Sequence, residues 1–410
     1  MASKLLIIGH VWPEPKSSAA GSRMMQLIES FQKEGYDIVF ASASSKSDRA
    51  FDLSEIGIVQ ATIAMNESSF DSFVKSLKPD VVLFDRFMTE EQYGWRVSEQ
   101  CPNALKVLDT EDLHALRKGR QQALKDKTDF DQSYLFNTHA KREIASIYRC
   151  DLSLIISEFE MKLLMHDFGV PENLLFYLPF QLDVNSNTTV KNLPLFNQRQ
   201  NFITIGNFLH EPNYNGILYL KETIWPLINQ QLPETKLHIY GAYASPKINQ
   251  LHHEASGFLI KGFAENVNEV MAHAKICLAP LRFGAGLKGK LIDAMINGTP
   301  CIMTSIAAEG MFGHVGPNGY VEDCPQHFAD KAVQLYGDEV LWKEKQQYGF
   351  KALTERFNTH KFHKDFFIKI NDTIIQLEKH RHQNFTGQML QHHTLQSTKY
   401  MSKWIEAKNK

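Results

Sequence analysis

The feature that most constrains this chain is a recurrence of short, wholly apolar runs separated by segments of helical length. "KLLIIG" (4–9), "DIVFAS" (37–42), "DVVLFD" (80–85), "LKVLDT" (105–110), "LSLIIS" (152–157) and "LLFYLP" (174–179) mark the first half. Ser22 to Glu34 and Glu158 to Phe168 are among the helical stretches between them. A strand apolar on both faces has no solvated side, so it belongs in a parallel sheet covered by helices above and below. Residues 181–200, rich in Asn, Thr and Pro, have no apolar period and read as a linker. The rhythm then restarts with "NFITIG" (201–206), "KLHIYG" (236–241), "GFLIKG" (257–262), "KICLAP" (275–280) and "TPCIMT" (299–304). The prediction is an α/β chain with two doubly wound domains, 1–180 and 201–358, as 410 residues allow at roughly 100–200 residues per domain.

Two sheets joined by one linker leave a cleft at their carboxyl edges, where open α/β sheets bind ligands. Several function classes fall outside this frame. A net charge of −2 gives no footprint for nucleic acid. No run reaches the roughly 18 apolar residues of a membrane span, and the apolar start before Trp12 and Pro13 is too short for a signal peptide. The five cysteines, Cys101, Cys150, Cys277, Cys301 and Cys324, read as reduced core residues of a cytoplasmic protein. From Pro325 the chain is mainly helical, and 381–410 form a basic tail in which Glu406 is the one acid. This tail reads as a solvated terminal helix, with contact at the inner face of an anionic membrane as the alternative. Its His380, His382, His392 and His393 lack the carboxylate or cysteine partners of a metal site.

The loops after strands hold the candidate chemistry. In "PLRFGAGLKGKLIDAMINGTP" (280–300), Leu287, Leu291, Ile292, Met295 and Ile296 form the apolar stripe of a helix starting at Leu287. Gly284 and Gly286 precede its first turn, where free N–H groups and the helix dipole favour an anion. Lys288 falls in that turn, where a cation needs a compensating anion, and Arg282 and Lys290 bracket it. The plainer alternative makes Arg282 and Lys290 surface charges and pairs Asp293 with Lys290. In "IGNFLHEPNYNG" (205–216), Gly206 ends a strand and Asn207, His210 and Asn213 offer hydrogen bonds, Asn213 also as a helix N-cap. Upstream, Gly21 lies in a long loop after the first strand. "VLDTEDLHALR" places Asp109, Asp112, His114 and Arg117 after another, where His114 could move a proton or bind a hydroxyl. A D-x-D at Asp129 to Asp131 lies in a charged helical stretch and reads as chance.

Together these segments resemble the GT-B glycosyltransferases, in particular the retaining enzymes of family 4 (glycosyl transferases group 1). "APLRFGAGLKGKLIDAMINGTPCIMTS" is similar to that family's donor-binding segment, "GNFLHEPNYNG" to a G-x-x-x-x-x-P-N-x-x-G loop, and "LDTEDLHALR" to a D-x-x-D-L-H-x-x-R segment. The resemblance implies two Rossmann-like domains, an acceptor domain and a donor domain, with a helix at 359–380 crossing back to the first. It implies a nucleotide-diphosphate sugar as donor, a saccharide or lipid-linked acceptor and no metal or other cofactor, in cell-surface polysaccharide or glycoconjugate synthesis. Asp293 would hold the ribose. Lys288, Arg282 and the amides of Gly284, Ala285, Gly286 and Leu287 would bind the diphosphate, and His114 the transferred sugar, with Gly21 leaving room. Gly206, Asn207, His210 and Asn213 complete the expected donor site. The chain departs from the family where a glutamate usually stands, at Ala285, and where Arg and Lys usually stand, at Asn207 and Pro212. Lys288 stands where some members have proline, and the diphosphate charge is assigned to it. A nucleotide-sugar epimerase and a noncatalytic binding relative are the competing functions.

Overall fold

A computed structural model describes residues 3–183 and 193–408. Of the linker expected at 181–200, residues 184–192 lie outside the described residues. The first sheet holds β1 (Lys4–Gly9), β2 (Asp37–Ser42), β3 (Val59–Thr62), β4 (Val81–Asp85), β5 (Leu105–Asp109), β6 (Leu152–Ile155) and β7 (Leu175–Tyr177). The second holds β8 (Gln200–Ile205), β9 (Leu237–Tyr240), β10 (Phe258–Gly262), β11 (Ala274–Ala279), β12 (Cys301–Met303) and β13 (Gly319–Val321). Their orders are β3-β2-β1-β4-β5-β6-β7 and β10-β9-β8-β11-β12-β13, all neighbours parallel. Both orders therefore reverse at the first strand, and each sheet has a crevice at that switch point.

The predicted strands all form. Central β4 and β5 are buried at every residue, as expected of strands covered on both faces. The sequence pattern misses β3 and β13, because a partly exposed edge strand such as Val59–Thr62 carries no continuous apolar run. Four cysteines are buried or half-buried as expected, and none is in a disulfide. Cys324 departs from the core reading: it is exposed, capping the helix Pro325–Gly337.

The chain crosses between the domains at 182 and 358, where Leu182 donates to the Phe357 carbonyl at 2.7 Å and Thr359 to that of Leu182 at 3.0 Å. The helix Thr359–Ile375 then lies on the first domain. Its Phe366 and Phe367 meet Phe31 edge-on at 5.7 and 5.1 Å, sealing the cluster that contains Leu5, Ile7 and Leu83. Burying two phenylalanines contributes about 1.5–3 kcal/mol each, enough to hold this helix across the domain boundary. The terminal helices Leu377–Gln383 and Phe385–Lys408 continue along the first domain. Arg381 pairs with Asp151 at 2.7 Å, Lys399 pairs with Glu99, and Ser402 accepts from Arg96 at 3.1 Å. The tail is thus a docked helix on one side, a correction to its reading as a freely solvated end.

Candidate functional site

The two switch points face each other across the domain boundary. On the first domain, the register of β4 with β5 sets Asp85 beside Asp109 at the carboxyl edge. Arg23, from the helix Ala19–Lys33, grips Asp109 through Nε at 3.0 Å and Nη2 at 2.8 Å and reaches the Leu178 carbonyl at 2.7 Å. Just beyond these strands, Arg86 and Glu111 hold left-handed backbone, with φ of 71° and 61°. Such conformations are costly for side-chain-bearing residues and cluster at functional sites. Burial, reinforced by Asp109, pushes the Glu111 carboxyl up to about 8.

The helix His114–Asp126 starts on the next turn. Its free N-terminal donors are met by carboxylates from neighbouring helices. Glu143 accepts from the His114 and Ala115 amides at 2.7 and 2.6 Å, and Glu160 from the Leu113 amide at 3.0 Å. The His114 ring packs edge-on against Phe87, with Nε2 at 3.4 Å from Asp112. Asp112 is fastened by Arg117 at 2.7 Å and, despite burial, stays below the usual carboxylate range because Arg117 and His114 face it. Burial drives His114 down to about 3, so at neutral pH it is an uncharged imidazole, suited to hydrogen-bonding a hydroxyl.

On the second domain, the helix is Gly289–Ile296 and Lys288 is its N-cap. The predicted start at Leu287 is therefore corrected: the extended Lys288 backbone ends the glycine turn and the helix begins after it. The stripe of Leu291, Ile292 and Met295 is buried as expected. Gly286 has φ 62°, and a Cβ there would lie 2.9 Å from the Asp112 Cβ, so glycine is required by conformation and by the approach of the other domain. The Gly286 amide donates to Glu160 at 2.7 Å. The Gly284 carbonyl accepts from Arg120 at 2.9 Å, and Arg120 pairs with Glu309 at 2.7 Å. Ala285 joins the buried cluster of the first domain with Leu113 and Leu163, whereas Leu287 packs in the second.

The basic groups behind this turn make no direct ion pair among the described residues, although Glu309 and Glu160 act on Lys288, and Asp293 on Lys290, at longer range. Lys288 is 6% exposed; its Nζ donates to the Gly286 carbonyl at 2.7 Å and makes no ion pair among the described residues. Burial lowers it to about 8. Lys290 is likewise lowered to about 8 by burial and donates to Asn213 Oδ1 at 2.9 Å. Asp293, one helical turn on, is raised to about 7 by burial against the opposing pull of Lys290, and its carboxylate has no hydrogen-bond partner among the described residues. Asn213 also donates to the Asn207 carbonyl at 3.0 Å, and a Cβ on Gly206 would strike its amide at 2.6 Å. His210 lies close enough to feel the charges of Arg117, Asp112 and Lys290. Residues from both domains thus meet in one place: His114, Asp112, His210, Gly206, Asn213, Gly286, Lys288, Lys290 and Asp293.

Other predicted residues are placed differently. Arg282 is exposed and turned outward, donating to Asn215 at 2.9 Å and lying over Tyr219, away from Lys288. Gly21, expected in the loop after the first strand, lies instead in the first turn of the helix Ala19–Lys33, where a Cβ would lie 2.4 Å from the Glu14 backbone of the preceding loop. The N-cap of the helix Glu211–Tyr219 is His210, not Asn213. The Asn207 side chain is occupied by the Leu209 amide at 2.9 Å. Asp129 and Asp131 lie on the exposed surface, where Asp131 caps a short helix.

Glu160, Glu143 and Arg120 were missed by sequence reasoning, although a signal was present. Each sits inside a buried helical stripe: Glu160 with Leu163 and Leu164, Glu143 with Ala140 and Ile147, Arg120 with Leu116 and Ala123. A charge within an apolar stripe is costly unless paired, so it points to a partner. Among the described residues, no group of three or more His, Cys, Asp or Glu is arranged to hold a metal ion, and no helix is long and apolar enough to cross a membrane.

Residues 199–338 match the family model described as Glycosyl transferases group 1. The second domain is a group 1 glycosyltransferase domain. No curated protein matches the sequence. Among solved structures, this chain is similar to the pneumococcal O-GlcNAc transferase GtfA in complex with UDP and GlcNAc, at 14% identity and a TM-score of 0.66, covering 91% of this chain and 99% of that one. It is also similar to Anabaena HepE in complex with UDP and glucose, at 11% identity and a TM-score of 0.68, covering 90% and 99%. A mutant of S. aureus TarM in complex with Fondaparinux, alpha-GlcNAc-glycerol and UDP aligns at 18% identity with a TM-score of 0.56, over 73% of this chain but only 58% of that one. These likenesses establish the GT-B fold that the sequence motifs implied.

Proposed function

We propose that this glycosyltransferase moves a sugar from a nucleotide-diphosphate donor to a saccharide or lipid-linked acceptor, in the synthesis of a surface polysaccharide or glycoconjugate. One observation carries the reading: the buried ammonium groups of Lys288 and Lys290, which make no direct ion pair among the described residues, and the Asp293 carboxylate, which has no hydrogen-bond donor among them, lie behind a glycine turn that packs against the segment carrying the neutral His114. A diphosphate satisfies Lys288 and Lys290 and a ribose hydroxyl pair satisfies Asp293, while His114 is free to bind a hydroxyl of the transferred sugar. Charge grows on the diphosphate as its bond to the sugar breaks, and cations already fixed in a dry site stabilise it without reorganisation. In this reading Lys288 is the principal group and no metal is required. Attack by the acceptor on the same face, with retention, follows from the likeness to family 4.

Because the solved relatives hold UDP, UDP-glucose and UDP-GlcNAc are the first donors to test, followed by guanosine and adenosine counterparts. A ligand that binds only the folded state raises the melting temperature. Absence of a shift with every nucleotide diphosphate overturns the reading. Product analysis with donor alone separates transfer from epimerisation, since an epimerase converts the donor without an acceptor.

A second proposal concerns location. The outward face of Phe385–Lys408 exposes Phe385, Met389, Tyr400, Met401 and Trp404. Lys403 and Lys408 are exposed beside them. Apolar and aromatic side chains with lysines on one helix face suit the interface of an anionic bilayer. Peripheral attachment at the inner membrane face would bring the cleft to a lipid-linked acceptor. Co-sedimentation with vesicles containing phosphatidylglycerol is expected, and should fall at least several-fold for Tyr400→Ser with Trp404→Ser; equal pelleting of that variant sinks the assignment.

A further inference from the structure

Glu160 occupies a place in the interface that the donor reading leaves unexplained. It is fully buried, on the helix Glu158–His166 behind β6. A single oxygen, Oε1, accepts from the Leu113 amide at 3.0 Å and from the Gly286 amide at 2.7 Å. Leu113 immediately precedes His114, and Gly286 is the left-handed residue of the glycine turn. The other oxygen, Oε2, is buried without a partner. A carboxylate kept only to balance charge would place both oxygens on donors. This one has both of its bonds on the two backbone segments that carry the opposing halves of the site.

We infer that Glu160 is a positioning residue: its Oε1 clasps the His114 segment to the glycine turn and sets their separation. The inference rests on the proposed transfer reaction for its kinetic consequence, but not for its structural one. Ala285 gives it a further reason. Where related enzymes carry a glutamate on the turn itself, this chain has a methyl group packed into the first domain, which offers no hydrogen bond to the facing segment. Glu160 supplies an acceptor from the other side. Burial, with Asp112 nearby, raises the Glu160 carboxyl to about 7, so an uncharged side chain is already present there near neutral pH. Both hydrogen bonds fall on one oxygen and come from backbone amides, so the clasp is set by the position of an acceptor oxygen.

That dependence on position defines the test. Glu160→Gln keeps an acceptor oxygen at the same reach, whereas Glu160→Asp keeps the charge but is one methylene too short to span both amides. The full-length enzyme with UDP-glucose or UDP-GlcNAc, whichever wild type uses, gives the kinetic arm. In the Asp variant kcat should fall at least about tenfold with donor KM within about threefold, and the Gln variant should stay within about threefold of wild type in both, since a misplacement near 1 Å costs up to about 100-fold. Hydrogen exchange of ligand-free protein gives the structural arm: peptides spanning 111–115 and 283–288 should exchange faster in the Asp variant and unchanged in the Gln variant. A Gln variant as impaired as Asp, or an Asp variant with normal kcat and normal protection, overturns the clasp. If wild type transfers from no donor, the transfer reading fails, and the exchange arm still decides the clasp.

Discussion

Replacing Lys288 with methionine separates a ligand-binding charge from a structural one. The side chain keeps its length and apolar stem but loses the ammonium. In the folded protein that ammonium is 6% exposed, and burial holds it near 8 rather than the ordinary 10.5. At ~1.4 kcal/mol per tenfold change in proton affinity, keeping it charged at pH 7 costs the fold roughly 3 kcal/mol. The sign follows: the unfolded chain binds this proton more tightly, so the cost is present below pH 8 and relieved as pH rises from about 8 to 10.5. That cost is already net of the pull of Glu309 and of the charged hydrogen bond to the Gly286 carbonyl. Methionine relieves it but leaves the buried Gly286 carbonyl without this donor, at about 1–3 kcal/mol. Lys288→Met should therefore melt within a few degrees of wild type, and higher if the relief of burial prevails. Activity should behave oppositely: removing a preorganised charge from the leaving diphosphate costs about 100- to 1,000-fold in kcat. Scanning calorimetry and radiolabelled transfer measure the two sides. Were Lys288 instead half of a structural ion pair, the same change would cost about 3–5 kcal/mol. A loss of that size, or near-normal transfer, refutes the assignment.

Asp293→Asn should raise donor KM about tenfold with little change in kcat, because a ribose contact is made equally in the ground and transition states; steady-state kinetics over donor concentration checks it. For His114, the folded value of about 3 lies below the unfolded value of 6.5, so stability tied to this residue is present above pH 6.5 and lost as pH falls toward 3. Glu143 and Glu160 are shifted upward by burial and act in the opposite sense, losing stability as pH rises from the ordinary glutamate range to 7 or 8. The histidine is therefore isolated by difference: the gap in melting temperature between His114→Asn and wild type should move in favour of the variant on acidification from pH 7 to 4, and a constant gap would contradict a neutral buried imidazole.

Much of this protein is legible in one dimension. Continuous apolar runs such as Val81–Asp85 declare strands buried on both faces, and their alternation with helices declares the doubly wound sheets. The loops at the carboxyl edges then have to hold the ligand chemistry, and His114, Lys288 and Asp293 could be selected from them because glycine turns and helix starts are local signals. The edge strands β3 and β13 escaped because their burial comes from one neighbour and leaves no pattern.

The sequence by itself determined the buried strands, the two doubly wound sheets and the glycine turn, since periodicity and backbone conformation depend on residues close together in the chain. Tertiary structure alone decided which charges meet. It turned Arg282 outward onto Tyr219, buried Ala285 among leucines of the other domain, and brought Glu160 to an amide 126 residues away. The physical reason is that a buried charge is stable only where the packed fold supplies its partners, and those partners come from segments whose distance in sequence carries no information about their distance in space.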